Sequence, residues 1–458
     1  MVLALVIASA IFMEMLDSTV ILTAMPHMAR AFGTGPVAIS LGVTAYMVAM
    51  AVSIPASGWA ADRYGTRTVF IAAIATFVAS SAACGLAQSL PQFVLMRVVQ
   101  GLAAGMMSPV GRLAMLRLTA RADLARAWNV LMMAGLFGAM SGPPVGGFVT
   151  TYLSWRWIFL LNVPVGLAGI VAVRRLFPEL RGEHRAGFDW PGFALNGVAL
   201  GGLLYGLQTL GEGSGTRVVS AVCALVGGVT AVFAVRHLRR ASRPLISLEA
   251  FGVPSFANTC WSSFAFRLSI FGPMFVLPLL MQIGLGLSPF ATGLFLLAHA
   301  AADMVAKTFA VQSLRRFGFR TLLIWTAFAY AGYVAGVALL PPGAPLAWLA
   351  ALLAFGGMMR SLQMGAVQTL QVAEVPQAQM TGAATVSAVL FPVGQALGVA
   401  LGALLLNLLL ARHGTAVPSI ADFRWTLAAL VIPALLSLRW HLALHPRAGA
   451  EVSGHGRA

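Results

Sequence analysis

Charge is what this chain has least of. Only 9% of its 458 residues are Asp, Glu, Lys or Arg, against about a quarter in an ordinary soluble domain. With 59% of residues hydrophobic, there is too little polar surface to face water on every side. A water-soluble globule is excluded, and an all-α integral membrane protein is expected. Cysteine is almost missing as well. Cys84, Cys223 and Cys260 each stand inside an apolar run without Cys-x-x-Cys spacing. That removes a disulfide framework and a thiolate metal site, leaving three small buried hydrophobes. No Walker-type phosphate loop occurs, so ATP-driven transport is not expected. No basic leader or cleavage site precedes the first apolar run, which reads as a spanning helix and not as a signal peptide.

What is present is a series of long apolar runs. A spanning helix needs about 20 mainly apolar residues. Fourteen runs meet that need, at 2–26, 37–60, 68–88, 91–113, 126–150, 155–176, 190–210, 217–236, 255–284, 289–312, 320–340, 344–370, 381–411 and 424–444. The formal net charge of +16 alone would suit nucleic acid, but its distribution says otherwise. Most arginines, from Arg63 and Arg67 to Arg315, Arg316 and Arg320, fall in alternate loops. The other side holds Arg30, Arg156, Arg217, Arg412 and Arg424. The positive-inside rule then places both termini in the cytoplasm, and the basic rim faces anionic lipid, not nucleic acid.

The chain also repeats itself. ADRYGTRTVF at 61–70 resembles LRRFGFRTLL at 314–323, and GMM at 105–107 returns at 357–359. Glycines at 138, 142 and 146 return at 394, 398 and 402. The three matches share nearly one shift, which predicts two pseudo-symmetric six-helix bundles. They cover 1–178 and 251–445, separated by an inserted helix pair with its linkers at 179–250 and followed by a cytoplasmic tail at 446–458. Repeated halves point to a secondary transporter with its substrate site near the midplane between them.

Four motifs carry chemistry. In FMEMLDSTVILTAMP at 12–26, Glu14 and Asp17 lie three residues apart, on one helix face. An ionisable residue at depth costs about 2.5–3.5 kcal/mol on insertion scales, so partners are expected. RVVQG at 97–101 puts Arg97 at nearly the depth of Asp17, and Asp17–Arg97 is the expected pair. GWAADRYGTR at 58–67 supplies Asp62, Arg63, Gly65 and Arg67 at a helix junction. Either Asp62 latches to Arg112 at the cytoplasmic end of the next helix but one, or the loop is simply a solvated basic rim. GLFGAMSGPPVGG at 135–147 carries Gly138, Gly142, Gly146 and Gly147 with Pro143 and Pro144. Small residues let membrane helices approach closely and proline bends them.

These motifs, in this order, resemble the major facilitator superfamily, specifically its fourteen-helix drug:proton antiporters of the QacA/EmrB type and most nearly the MdtD branch. The resemblance spans essentially the whole chain and includes WRWIFLLNVPVG after the glycine/proline helix. It implies proton coupling at Asp17 and Arg97, conformational control at Asp62 and Arg112, and an antiporter signature in 138–147. Two departures stand out. Glu14 adds a second carboxylate where the family usually has none, and Leu314 replaces Asp62 in the repeated loop.

Burial favours a neutral carboxyl while a neighbouring arginine favours the ionised one, so a site balanced between the two can load and release protons. Asp17 is expected to be the principal proton site and Glu14 a second one or a cation-binding group. A substrate cavity is expected to draw on Glu14 and Gln100 from the first half. From the second it would draw on Arg267, His299, Asp303, Arg360 and Gln363. Arg267 falls on Glu14 when shifted by the repeat, which suggests that the two oppose each other. Lys307, the only lysine, sits four residues after Asp303 and is a candidate partner for it. The carboxylates favour a lipophilic cation and the cations an organic anion. The expected activity is proton-coupled export of small lipophilic or cationic compounds, with an organic-anion or metabolite exporter as the alternative. A membrane enzyme or a channel is a remote third. No cofactor and no metal are expected, and the chain should work as a monomer in a bacterial inner membrane, with any periplasmic adaptor left open.

Overall fold

The computed structural model describes residues 2–119, 123–179, 187–209, 217–241, 244–341, 343–415, 417–446 and 448–453. Parts of the predicted linkers and the end of the predicted tail, residues 454–458, lie outside them. Among the described residues every regular element is helical. In chain order these are α1 (Val2–Val20), α2 (Met25–Phe32), α3 (Ser40–Ser53), α4 (Ala56–Tyr64), α5 (Thr66–Leu86), α6 (Leu90–Leu118), α7 (Leu124–Tyr152), α8 (Trp157–Leu160) and α9 (Asn162–Leu176). They continue with α10 (Trp190–Thr209), α11 (Arg217–Arg240), α12 (Pro254–Leu279), α13 (Pro289–Leu339), α14 (Leu346–Ala373), α15 (Met380–His413), α16 (Ile420–Ala429) and α17 (Val431–Leu442).

Among the described residues, twelve helices are long and apolar enough to cross a membrane. The apolar run predicts each of them, and local chemistry explains where the runs are interrupted. The run 37–60 divides into α3 and α4 at Pro55, which cannot donate a backbone hydrogen bond. The runs 289–312 and 320–340 join into α13, of 51 residues, which breaks only at Gly318. There φ is 70°, a left-handed conformation that side chains with a Cβ resist.

The lipid is visible in what the fold leaves uncovered. The most apolar window of Val218–Arg240 has a mean hydropathy of 2.4, yet only 17% of it is buried. A helix so apolar and so bare is stable only where hydrocarbon covers it. The protein is therefore a multi-pass membrane protein.

The chain forms two compact units. The first comprises 1–206, 221–245 and 287–294. In it α1 lies along α7, α6 packs against α3 and α5, and α9 rests on α5 and α1. The second comprises 207–220, 246–286 and 295–458. Here α12 is central and packs on α15 and α17.

A polar clasp holds the start of α10 against the end of α11. Asp189 Oδ1 accepts from Gly192 N at 2.9 Å and from His237 Nε2 at 2.7 Å, and Oδ2 accepts from Leu245 N at 3.1 Å. Burial pushes the Asp189 carboxyl up, but the Gly192, His237 and Leu245 donors outweigh it and hold the group below the usual carboxylate range. A carboxylate depressed by folding stabilises above its unfolded value and loses that contribution as pH falls through its folded one. The clasp should persist from neutral pH through about pH 5 and open only below roughly pH 4. Hydrogen exchange at the Leu245 amide, corrected for the intrinsic rate, checks this. Loss of protection already at pH 5 would contradict it.

Candidate functional site

The first unit holds a buried polar cluster around α1. Asp17 and Arg97 are both fully buried. Arg97 Nη1 donates to Asp17 Oδ2 at 2.6 Å and to Gln100 Oε1 at 2.8 Å. Gln100 Nε2 and Asn162 Nδ2 each donate to Asp17 Oδ1 at 3.0 Å. Asn162 also donates to Ser81 Oγ at 3.0 Å. The guanidinium lies 4.1 Å over the Tyr46 ring, a cation–π contact strengthened by the dry surroundings. Both carboxylate oxygens therefore accept, as an ionised group does. A proton added here removes the charge that the Arg97 pair needs.

Glu14 is buried one turn away, at 3% exposure. Its Oε2 accepts from Ser108 Oγ at 2.5 Å, and it has no ion-pair partner among the described residues. Gln100, expected in a substrate cavity, instead bridges Arg97 and Asp17. Asn162, Tyr46, Ser81 and Ser108 complete the cluster, and none of them carries a charge that would mark it in the sequence. A single amide or hydroxyl in an apolar helix was the signal available for Asn162 and Ser108.

The glycine helix positions these carboxylates. On α7, a Cβ at Gly138 would lie 2.6 Å from the Phe12 carbonyl oxygen. One at Gly142 would overlap Thr19 Oγ1, and one at Gly146 the Val20 carbonyl oxygen. Backbone thus packs on backbone along the length of α1 that bears Glu14 and Asp17. Gly147 makes the same kind of approach to the Pro289 carbonyl, and Gly293 to that of Pro143. Pro143 and Pro144 stand within α7 itself.

The Major Facilitator Superfamily pattern matches residues 7–398. The chain belongs to the major facilitator superfamily. It is 33% identical over 447 residues to a protein of Salmonella paratyphi A (strain ATCC 9150 / SARB42) named multidrug resistance protein MdtD, covering 95% of this chain and 93% of that one. The identity and both coverages are the same for a Salmonella typhi protein of that name. Among solved structures, a peptide transporter POT bound to sulfate superposes with a TM-score of 0.70 at 16% identity, over 98% of this chain and 95% of that one. A D-xylose–proton symporter gives 0.66 at 15% identity, over 98% of both chains. At these identities the two structures establish the fold alone.

The transporter's second unit contains a separate polar set. Arg360 Nη2 donates to Asp303 Oδ2 at 2.8 Å, and Ser361 Oγ donates to the Asp303 carbonyl at 2.8 Å. Of the two partners open to Asp303, Arg360 and not Lys307 makes the ion pair. Lys307 is exposed, since a long ammonium stem can leave an apolar helix face while a rigid guanidinium on a facing helix reaches the carboxylate. His299 Nδ1 donates to the Leu353 carbonyl at 2.8 Å. Gln363 is wholly buried, accepting from Thr326 Oγ1 and facing His441 Nε2 at 3.3 Å. That is an internal polar network, not an open wall, and it takes His441 out of the cytoplasmic rim to which its position near the chain end would assign it. Arg267 is 2% exposed, with its guanidinium 4.9 Å over the Phe391 ring.

The loop motif forms an ion pair, but with a different partner. Asp62 Oδ1 accepts from Arg117 Nη2 at 2.8 Å, which corrects the Asp62–Arg112 latch. Arg117 lies five residues further along α6, about 7.5 Å nearer its end, and so level with the end of α4. Both side chains of the Asp62–Arg117 pair are about a third exposed, so its contribution to stability is at most about 1 kcal/mol. Arg67 Nη2 donates to the Arg174 carbonyl at 2.6 Å, tying α5 to the end of α9, and Arg63 rests over Trp59 and Tyr64. Gly65, at φ 94°, makes the sharp turn between α4 and α5 that other residues resist.

Proposed function

We propose that the transporter exports small lipophilic compounds, cationic ones among them, in exchange for protons by alternating access. The observation that carries this reading is the wholly buried Asp17–Arg97 pair, with both carboxylate oxygens engaged. A proton arriving at Asp17 from outside discharges the carboxylate, frees Arg97 and favours release of the bound compound outward. Glu14, held only by the Ser108 hydroxyl, is the second acid in reach. The relatives' multidrug resistance name supports lipophilic substrates.

In this reading α13 counts as two spans across Gly318 and α10 spans as well, giving fourteen. Two six-helix bundles, 1–178 and 251–445, flank an inserted pair, and both termini face the cytoplasm. The protein works as a monomer in a bacterial inner membrane without a cofactor. The Asp62–Arg117 pair and the 138–147 helix control the conformational exchange.

The test uses proteoliposomes with an imposed pH gradient and a fluorescent proton reporter. Lipophilic cations and organic anions are added to the wild type, Asp17→Asn and Glu14→Gln. The wild type should move protons when its substrate is added, and Asp17→Asn should show only the background leak. Uphill export retained by Asp17→Asn would overturn the reading.

A further inference from the structure

Every other deeply buried charge in the described structure has an answer, and Arg267 does not. Asp17 has Arg97, Asp303 has Arg360, and Glu14 has the Ser108 hydroxyl. Arg267 stands midway along α12 at 2% exposure. No carboxylate lies within ion-pair distance of it, and no acceptor takes a hydrogen bond from it, among the described residues. Its Nε is sealed from solvent without a partner. One turn earlier on the same face, the Ser263 hydroxyl is also buried and unpartnered. A guanidinium always carries its charge, and an uncompensated charge at mid-span is strongly unfavourable.

The surroundings hold this arginine in place without neutralising it. Its charged end lies 4.9 Å over Phe391, which meets Phe271 edge-on at 6.0 Å. Its stem fills the space that Gly394 leaves on α15, where a Cβ would come within 3.0 Å of Arg267 Cδ. The charge is therefore presented on an aromatic floor, with the unpartnered Ser263 hydroxyl one turn earlier on the same helix face. A planar fork of N–H donors fits a carboxylate bidentately, and adjoining rings suit an aromatic body.

We propose that Arg267, with Ser263, is the recognition site for the carboxylate of an aromatic organic anion that the protein carries. This adds an anionic class to the lipophilic compounds of the proposed export, and rests on that reading only for what the bound anion is used for.

Two measurements on the full chain in nanodiscs test the site. The first is equilibrium binding of radiolabelled 1-naphthoate, compared with neutral 1-naphthamide, tetraphenylphosphonium and chloride as competitors. 1-Naphthoate should bind and displace itself at least about tenfold better than 1-naphthamide does. Arg267→Met should lose that preference, and Arg267→Lys should keep part of it. The second measurement needs no ligand. Arg267→Met keeps the stem packed on Gly394 and Phe391 but removes an uncompensated charge, so the melting temperature of the ligand-free protein should rise. A fall would mean that the protein itself satisfies Arg267, and would overturn the proposal. So would naphthamide, tetraphenylphosphonium or chloride competing as well as naphthoate, or binding unchanged in Arg267→Met.

The proton reporter separates the two readings. Arg267-dependent naphthoate binding without Asp17-dependent proton movement would sink the antiport reading and leave the site standing. Asp17-dependent proton movement on substrate addition, with wild-type protein binding naphthoate no better than naphthamide, would do the reverse.

Discussion

Arg97→Met should destabilise the transporter by about 3 kcal/mol, because it leaves the buried Asp17 carboxyl group without its counter-charge. Breaking such a pair typically costs about 3–5 kcal/mol. The lower end is expected here, since Gln100 and Asn162 still donate to Asp17 Oδ1. The stacking of the guanidinium on Tyr46 is lost in the same substitution. Removing both charges in Asp17→Asn/Arg97→Met should recover most of the loss, since no orphaned carboxylate remains. Proton coupling should be absent from both variants. A graded SDS titration of purified protein measures the stability. A single variant within about 1 kcal/mol of the wild type would show that the pair is not desolvated as the geometry indicates.

The second large effect is steric. Gly146→Val should reduce transport to the vesicle background and destabilise the fold by roughly 1–3 kcal/mol, in the range of overpacked cores. Its Cβ would overlap the Val20 carbonyl oxygen, which is backbone, so no rotamer change relieves the clash. α1 would have to shift, taking Glu14 and Asp17 away from Ser108 and Arg97. Gly135→Ala is the matched control on the same helix. There the nearest atom to a new Cβ is Ile11 Cγ2 at 3.4 Å, an ordinary contact. Alanine also favours the helix by about 0.5–1 kcal/mol over glycine. Transport should be preserved in Gly135→Ala and lost in Gly146→Val. Equal transport by the two would remove the α1–α7 seam from the mechanism.

Part of this site could be read from the chain alone, and the remainder divides along physical lines. Asp17 and Arg97 were legible because a charge inside an apolar run must find a partner at its own depth, and depth follows from helix rise. Neutral donors carry no such penalty signal, so Asn162 and Ser108 looked like ordinary polar interruptions. The sequence does not tell Arg112 from Arg117 as the partner of Asp62, because the two share a helix and only helical phase and tilt decide which of them meets α4. Asp303 shows the limit of spacing rules. A four-residue interval allows a pair with Lys307, but a facing helix offered a better-placed partner. The fold was legible in its apolar runs. The break at Gly318 lay within the basic loop between two of them, where nothing in composition distinguishes a continuous helix from a turn.

The cluster around Asp17 joins more than a proton to a base. Asp17 belongs to α1, Arg97 and Gln100 to α6, and Asn162 to α9; Asn162 in turn holds Ser81 on α5, and Tyr46 on α3 lies against Arg97. Lipid is as apolar as leucine, so hydrophobicity alone gives these helices little reason to prefer one another over their solvent. Polar knots of this kind give the bundle its set. One carboxylate thus serves as a rivet through five helices, and the smallest of all ligands, a single proton, is enough to loosen it.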